Sequence, residues 1–152
     1  MSILVVGSVA YDSVTTSAGK RSDALGGSAT YFSIASSYFS RTSIVAVVGK
    51  DFKREHLTTL ESHSIDTSNL QHMPGLTFRW TGIYDSDNFN SRETIDTQLN
   101  VFADFAPELH KNLRDSPYLF LANIDPDLQM EVLAQMNYRP TLVALDTMNF
   151  WI

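Results

Sequence analysis

Four short apolar runs do most to decide what this chain can fold into. They are Ile3-Leu4-Val5-Val6, Ile44-Val45-Ala46-Val47-Val48, Tyr118-Leu119-Phe120-Leu121-Ala122 and Thr141-Leu142-Val143-Ala144-Leu145. Their apolar residues are consecutive and do not alternate with polar ones. A strand of that kind must be covered on both faces, and sheets covered on both faces are mostly parallel, with helices as the cover. The intervening segments supply the helices. Ala29, Phe32, Ala35 and Phe39 recur at near-helical spacing after Gly26-Gly27-Ser28, and Phe52, Leu57 and Leu60 follow the second run. Asp125-Pro126 opens a third helix, with an acceptor side chain at the cap and a proline at the first helical position. Leu128, Val132, Leu133 and Met136 give that helix its apolar side. The order β, α, β, α predicts an α/β fold built on a mostly parallel sheet with flanking helices.

The middle of the chain breaks this rhythm. Leu76, Phe78, Trp80 and Tyr84 alternate with Thr77, Arg79, Thr81 and Asp85. Period two predicts a half-exposed strand in an antiparallel pair. Asp85-Ser86-Asp87-Asn88 reads as its turn, and a partner strand falls between Glu93 and Leu99. These strands predict a small antiparallel β insertion, at about 76–100, lying off the main sheet. The stretch from Ser13 to Asp23 is polar and carries no strand signal.

Composition narrows the class of partner. With 43% hydrophobic and 18% charged residues, the 152-residue chain has the make-up of one soluble globular domain. The net charge of −6, without a Lys/Arg run, argues against nucleic acid. There are no cysteines, which excludes disulfides and thiolate metal sites and fits a cytoplasmic location. Ile3–Val6 is too short to span a bilayer and follows no basic region, so no membrane partner is expected.

Three places carry candidate chemistry. Asp12 lies just past the first strand and Gly7, at the edge where open α/β sheets bind ligands. It can accept hydrogen bonds from a pair of sugar hydroxyls, although on its own a turn-capping Asp is the plainer reading. Gly26-Gly27 at a helix start lets a ligand approach the backbone, and the first helical N–H groups are free donors; a tight turn with a Ser cap explains an isolated pair equally simply. Asp146 and Asn149, after the last strand, again suit a polar ligand or the chemistry of a strand exit. There is no G-x-G-x-x-G fingerprint and no Gly-Lys-Ser/Thr loop. His56, His63, His72 and His110 show no metal spacing. Trp80 and Tyr84 offer rings for stacking on a substrate or for packing on the sheet. Asp125 and Asp127 read as helix-start residues, and Lys50–Glu55 as a solvated first helical turn.

In this order, the pieces resemble the ribokinase-like (PfkB) carbohydrate kinase family. The resemblance rests on the first strand with Gly7 and Asp12, Gly26-Gly27, Val47-Val48-Gly49-Lys50-Asp51-Phe52, the β insertion, and Asp146-Asn149 followed by Trp151. It implies a ribokinase-like fold whose β insertion is a lid, with Phe78 and Trp80 as covering residues. It also implies transfer of the ATP γ-phosphoryl group, with Mg2+, to a hydroxyl of a sugar or nucleoside. Asp12, Gly26 and Gly27 would then bind the substrate, and Asp146 and Asn149 would lie toward the phosphates. Ala10, Tyr31 and Lys50 stand where many members carry Asn, Asn and an acid, which leaves the acceptor open between a sugar and a nucleoside. The family's glycine-rich loop with its catalytic Asp is not found in the sequence. The expectation is therefore an amino-terminal half, an incomplete domain without catalytic base or adenine pocket, inactive alone, with room for a homodimer through the lid. A non-catalytic polyol- or nucleoside-binding module of the same fold is the alternative. A structural protein pairing two copies through the insertion is a third.

Overall fold

A computed structural model describes residues 2–88 and 90–148. The apolar runs form the main sheet as expected. β1 (Ser2–Val6), β4 (Arg41–Gly49), β8 (Tyr118–Leu121) and β9 (Leu142–Leu145) lie in one parallel sheet with β5 (Ile65–Met73), in the order β5-β4-β1-β8-β9. Alternate residues of these strands separate into two cores. Leu4, Val6, Val45, Val47, Leu119 and Leu121 pack with Val132 of α3 (Pro126–Ala134) and with Val101, Phe105, Leu109 and Leu113. Val5, Ile44, Ala46 and Val48 pack on the other face with Ala29 of α1 (Ser28–Ser37) and Leu60 of α2 (Arg54–Ser62). Covering both faces is what consecutive apolar residues require, and β1, β4 and β8 meet it; β9, the edge strand, does not, since only Val143 packs on a core while Leu142 and Leu145 are exposed.

β5 was not legible in the sequence. It is an edge strand whose residues Asp66, Ser68, Gln71 and His72 are polar, so it carries no continuous apolar run. The apolar face expected for α1 is also corrected. The helix buries Ala29, Thr30, Ser33 and Ser36, whereas Ala35 is exposed and Phe39, just past its end, is 89% exposed. Small residues let the helix approach the sheet closely, and the Ser36 hydroxyl is kept in hydrogen bonds to Ser33 O and Thr42. Phe32 keeps its expected place, stacked on Phe120 with ring centroids 3.6 Å apart.

A second, four-stranded sheet holds β3 (Gly19–Gly26), β2 (Ala10–Thr16), β6 (Arg79–Tyr84) and β7 (Arg92–Gln98), in that order. β6 and β7 are the antiparallel pair expected off the main sheet. Asp85 closes their turn by accepting from the N–H groups of Asp87 and Asn88. The other half was not foreseen. The polar stretch after β1 is the hairpin β2 and β3, and β2 pairs in parallel with β6. Leu76–Phe78 lie before β6 as a linker, which the main sheet grips through Gly49 N–H to Thr77 Oγ1 and Lys50 N–H to Gly75 O, both 3.0 Å.

Candidate functional site

In the main sheet the chain moves from β1 to β4 on one side and then to β8 on the other. The direction of winding therefore reverses between β1 and β8. Open α/β sheets bind ligands outside the strand ends at such a reversal. Here the loop after β1 places Ser8 beside the start of α1. Ser8 Oγ accepts from the Ser28 N–H at 3.1 Å and lies 3.0 Å from Ser28 Oγ, which also reaches Asn123 O at 3.4 Å. Asn123 follows β8, and its Oδ1 is buried with no hydrogen-bond partner among the described residues. Neither Ser8 nor Asn123 stood out in the sequence, because a Ser and an Asn at strand exits carry no motif.

The hairpin β2–β3 brings Asp12 to the same place. Asp12 pairs in register with Ala24 on one side and Trp80 on the other, so Asp12 and Trp80 share a face of the second sheet. The Gly27 N–H donates to the Asp12 carboxylate. Gly26 lies so close that a Cβ there would fall within that carboxylate. Gly27 has φ 94° and ψ 146°, and a Cβ on it would run into Ser8 O. The glycine pair thus lets Asp12, the β1 loop and the α1 start converge. Burial pushes the Asp12 carboxyl above the usual carboxylate range, while the Gly27 N–H pulls it back. Tyr31, on the first turn of α1, is near enough for the Asp12 and Tyr84 charges to add to the rise that burial gives its hydroxyl.

The Asp12 shift has a consequence for stability. A carboxyl raised above its unfolded value favours the folded state fully only below the unfolded pKa, and that benefit is lost as pH rises through the folded pKa. Asp12→Asn is therefore expected to melt above the wild type at pH 7, with the gap closing toward pH 3. Thermal unfolding across that range is the check, and equal melting temperatures at pH 7 would refute it.

Trp80 lies across Gly82, where a Cβ would enter the indole, and its Nε1 donates to Thr94 Oγ1 at 3.2 Å. Its ring meets Tyr84 edge-on at 6.4 Å. Phe78, expected beside Trp80 as a covering residue, sits in the linker and stacks on Phe102 at 5.1 Å. Asp146 is exposed at the carboxyl end of β9, where its N–H donates to Leu121 O at 2.9 Å and its carbonyl accepts from Gln129 Nε2 at 3.2 Å. It lies on the same sheet edge as Ser8 and Asn123 but shares no hydrogen bond with Asp12 or the glycine pair among the described residues. Asn149 falls outside the described residues. No group of three His, Asp or Glu side chains gathers among the described residues to hold a metal ion. Among them, no helix is long and apolar enough to cross a membrane.

The stretch Lys50–Glu55 is not a solvated helical turn throughout. α2 begins at Arg54, and Asp51 is turned into the structure. Its carboxylate accepts from Thr77 N–H and Thr77 Oγ1, both 2.7 Å, and from Arg79 Nη2 at 2.6 Å. Burial alone would raise the Asp51 pKa, but these donors hold it below the usual carboxylate range. Arg79 also pairs with Asp23 and lies 4.8 Å over the Tyr11 ring.

No protein-family model and no curated protein matches the chain. Solved structures do. A ribokinase from Giardia lamblia superposes with a TM-score of 0.73 at 17% identity, over 95% of this chain and 49% of that one. The nucleoside kinase of Methanocaldococcus jannaschii, an archaeal member of the ribokinase family, gives 0.69 at 20% identity, over 95% and 52%. The ribokinase of Cryptococcus neoformans, solved in complex with ADP, gives 0.66 at 17%, over 96% and 48%. The chain therefore has the ribokinase-like fold, and it spans about half the length of the kinases it matches.

Proposed function

We propose that this chain is the substrate-binding, amino-terminal part of a ribokinase-family kinase that transfers the ATP γ-phosphoryl group to a sugar or nucleoside hydroxyl. The observation that carries the reading is Asp12, held beside Gly26 and Gly27 where the winding of the parallel sheet reverses. A half-buried carboxylate at these strand ends is a strong acceptor for paired hydroxyls. Ser8, Ser28 and Asn123 Oδ1, which has no partner among the described residues, add further polar groups at the same strand ends. The second sheet, with Trp80 on the Asp12 face, acts as the lid that excludes water during transfer. Residues 1–152 then form part of one domain, and the lid draws on residues 10–26 as well as the insertion at about 76–100.

Asp146 lies toward the phosphates in this reading. ATP and Mg2+ are supplied for by residues outside these 152, and so is the base that takes the acceptor proton. Asp12, in this reading, is committed to hydroxyls that do not react. The chain alone is then inactive. Its partner is a small molecule in the cytoplasm rather than nucleic acid or membrane. β7, exposed along its whole length, is the edge through which two copies would pair.

The test is a binding and turnover comparison. Full-length gene product is expected to phosphorylate members of a sugar and nucleoside panel, and the 152-residue chain is not. Asp12→Ala should weaken acceptor binding by about tenfold or more, from loss of charge-assisted hydrogen bonds, with ATP affinity unchanged. Full-length protein that binds the panel without turnover would favour the non-catalytic binding module. Unchanged acceptor affinity in Asp12→Ala would remove the substrate assignment.

A further inference from the structure

The two faces of the second sheet are coupled by the pleat. Tyr11 and Arg79 are register partners, and so are Asp12 and Trp80 one residue on. Side chains alternate along a strand, so whatever fixes Tyr11 and Arg79 also fixes the backbone that carries Asp12 and Trp80 on the opposite face. What fixes them is a clamp between the two sheets. Arg79 Nη2 is 2.6 Å from Asp51, which follows β4 of the main sheet, and Nη1 pairs with Asp23 of β3 in the second.

Each partner is held in turn. The hairpin register shifts between Asp12 and Val14, and Asp23 within that bulge has φ 50° and an N–H that donates to Ser13 Oγ. Asp23 lies two residues from Leu25, the register partner of Tyr11, and so on the Tyr11 and Arg79 face. Asp51 has its remaining acceptor positions filled by Thr77. The Tyr11 ring lies under the guanidinium, and its hydroxyl donates to Asp51 O at 3.2 Å and accepts from Lys53 N–H at 2.8 Å. One planar fork therefore bridges a carboxylate from each sheet while stacked on a ring, a geometry an ammonium cannot reproduce.

We propose that Arg79 is a positioning residue, which, gripped between Asp51 and Asp23, sets where the second sheet holds Asp12 and Trp80 over the strand ends of the main sheet. The proposal rests on the reading that the Asp12 face binds the acceptor, but it makes a claim that the reading does not. Affinity for the acceptor should depend on a cluster that never touches it.

The test compares Arg79→Gln, Arg79→Lys and wild type in the full-length gene product, with amide hydrogen exchange and steady-state kinetics on the sugar and nucleoside panel. Arg79→Gln is expected to speed exchange in β2 and β6 while β1 and β4 stay protected. It should also raise KM for the acceptor by about tenfold or more, since small misplacements of binding groups are costly, and leave KM for ATP unchanged. Adding Asp51→Asn to Arg79→Gln should raise the acceptor KM by less than Asp51→Asn does alone, because the two act as a unit. If Arg79→Gln does not fold, Arg79→Lys decides: a raised acceptor KM supports the proposal and an unchanged one overturns it. Faster exchange with an unchanged acceptor KM would make the cluster merely structural and overturn it too. Wild-type protein that binds no member of the panel sinks the functional reading and this proposal together, whereas equal binding by wild type and variants sinks this proposal alone.

Discussion

Gly27→Ala is expected to destabilise the chain by about 3 kcal/mol or more and to abolish the acceptor binding proposed at Asp12. Two effects act together. At φ 94° and ψ 146° the backbone is in a region that L side chains rarely adopt. The added methyl group would also meet backbone, with Ser8 C and Val9 Cα both 2.8 Å away. Backbone cannot turn aside as a flexible side chain can. Relief requires the β1 loop and the start of α1 to separate, and that breaks the Ser28 N–H to Ser8 Oγ and Ala29 N–H to Ser8 O hydrogen bonds. The same movement withdraws the Gly27 N–H from Asp12. For a chain of this size the melting temperature should fall by roughly 10 °C. Calorimetry or circular dichroism would show it, and a fall of only a degree or two would mean that the loop has slack absent from the structure.

The second large effect is expected at Gly49, where β4 ends against the linker that enters the second sheet. A Cβ there would lie 2.5 Å from Thr77 N and 2.6 Å from Gly75 O. Gly49→Ala must push the linker outward. It then loses the bonds from Gly49 N–H to Thr77 Oγ1 and from Lys50 N–H to Gly75 O, and it strains Thr77 on Asp51. Overpacking and two lost hydrogen bonds together suggest a cost of about 3 kcal/mol. Unlike Gly27→Ala, the damage should centre on the second sheet. Amides of β6 should exchange much faster while those of β1 remain protected. Uniform loss of protection would indicate that the two sheets unfold as one unit.

The sequence made the main sheet readable for a physical reason. Strands packed on both faces exclude polar residues, so β1, β4 and β8 announce themselves as apolar runs, and β9 does so although it lies exposed at the sheet edge. β5 stayed hidden because one edge of a sheet tolerates Asp66, Ser68 and Gln71. β2 and β3 stayed hidden for a different reason. One face of β2 carries Asp12 toward the Gly27 N–H and the other carries Tyr11 into a charged cluster, so neither face has the uniform polarity that a period-two pattern needs. The site shows the same division. Asp12 and the glycine pair were visible, since a carboxylate past a strand and two adjacent glycines are unusual locally. Ser8, Asn123 and the Asp51–Arg79–Asp23 cluster depend on contacts between residues far apart in the chain, for which no local spacing exists. Phe78 alternates with Trp80 in sequence, yet the linker turns it onto Phe102, because the strand begins only at Arg79.

The parallel pairing of β2 with β6 also bears on how the chain is made. During synthesis the β2–β3 hairpin, complete at Gly26, leaves the ribosome well before β6, which begins at Arg79. At ordinary elongation rates that is an interval of about 3–11 s. Throughout it, the long edge of β2 has no partner, and an unpaired edge invites a neighbouring nascent chain. The hairpin's own residues guard against that. Ser13, Thr15, Lys20, Arg21, Ser22 and Asp23 leave little apolar surface for a wrong strand to cover. The polarity that concealed the hairpin from a reading of the sequence is thus the property that lets it wait, solvated and unattached, until its partner arrives.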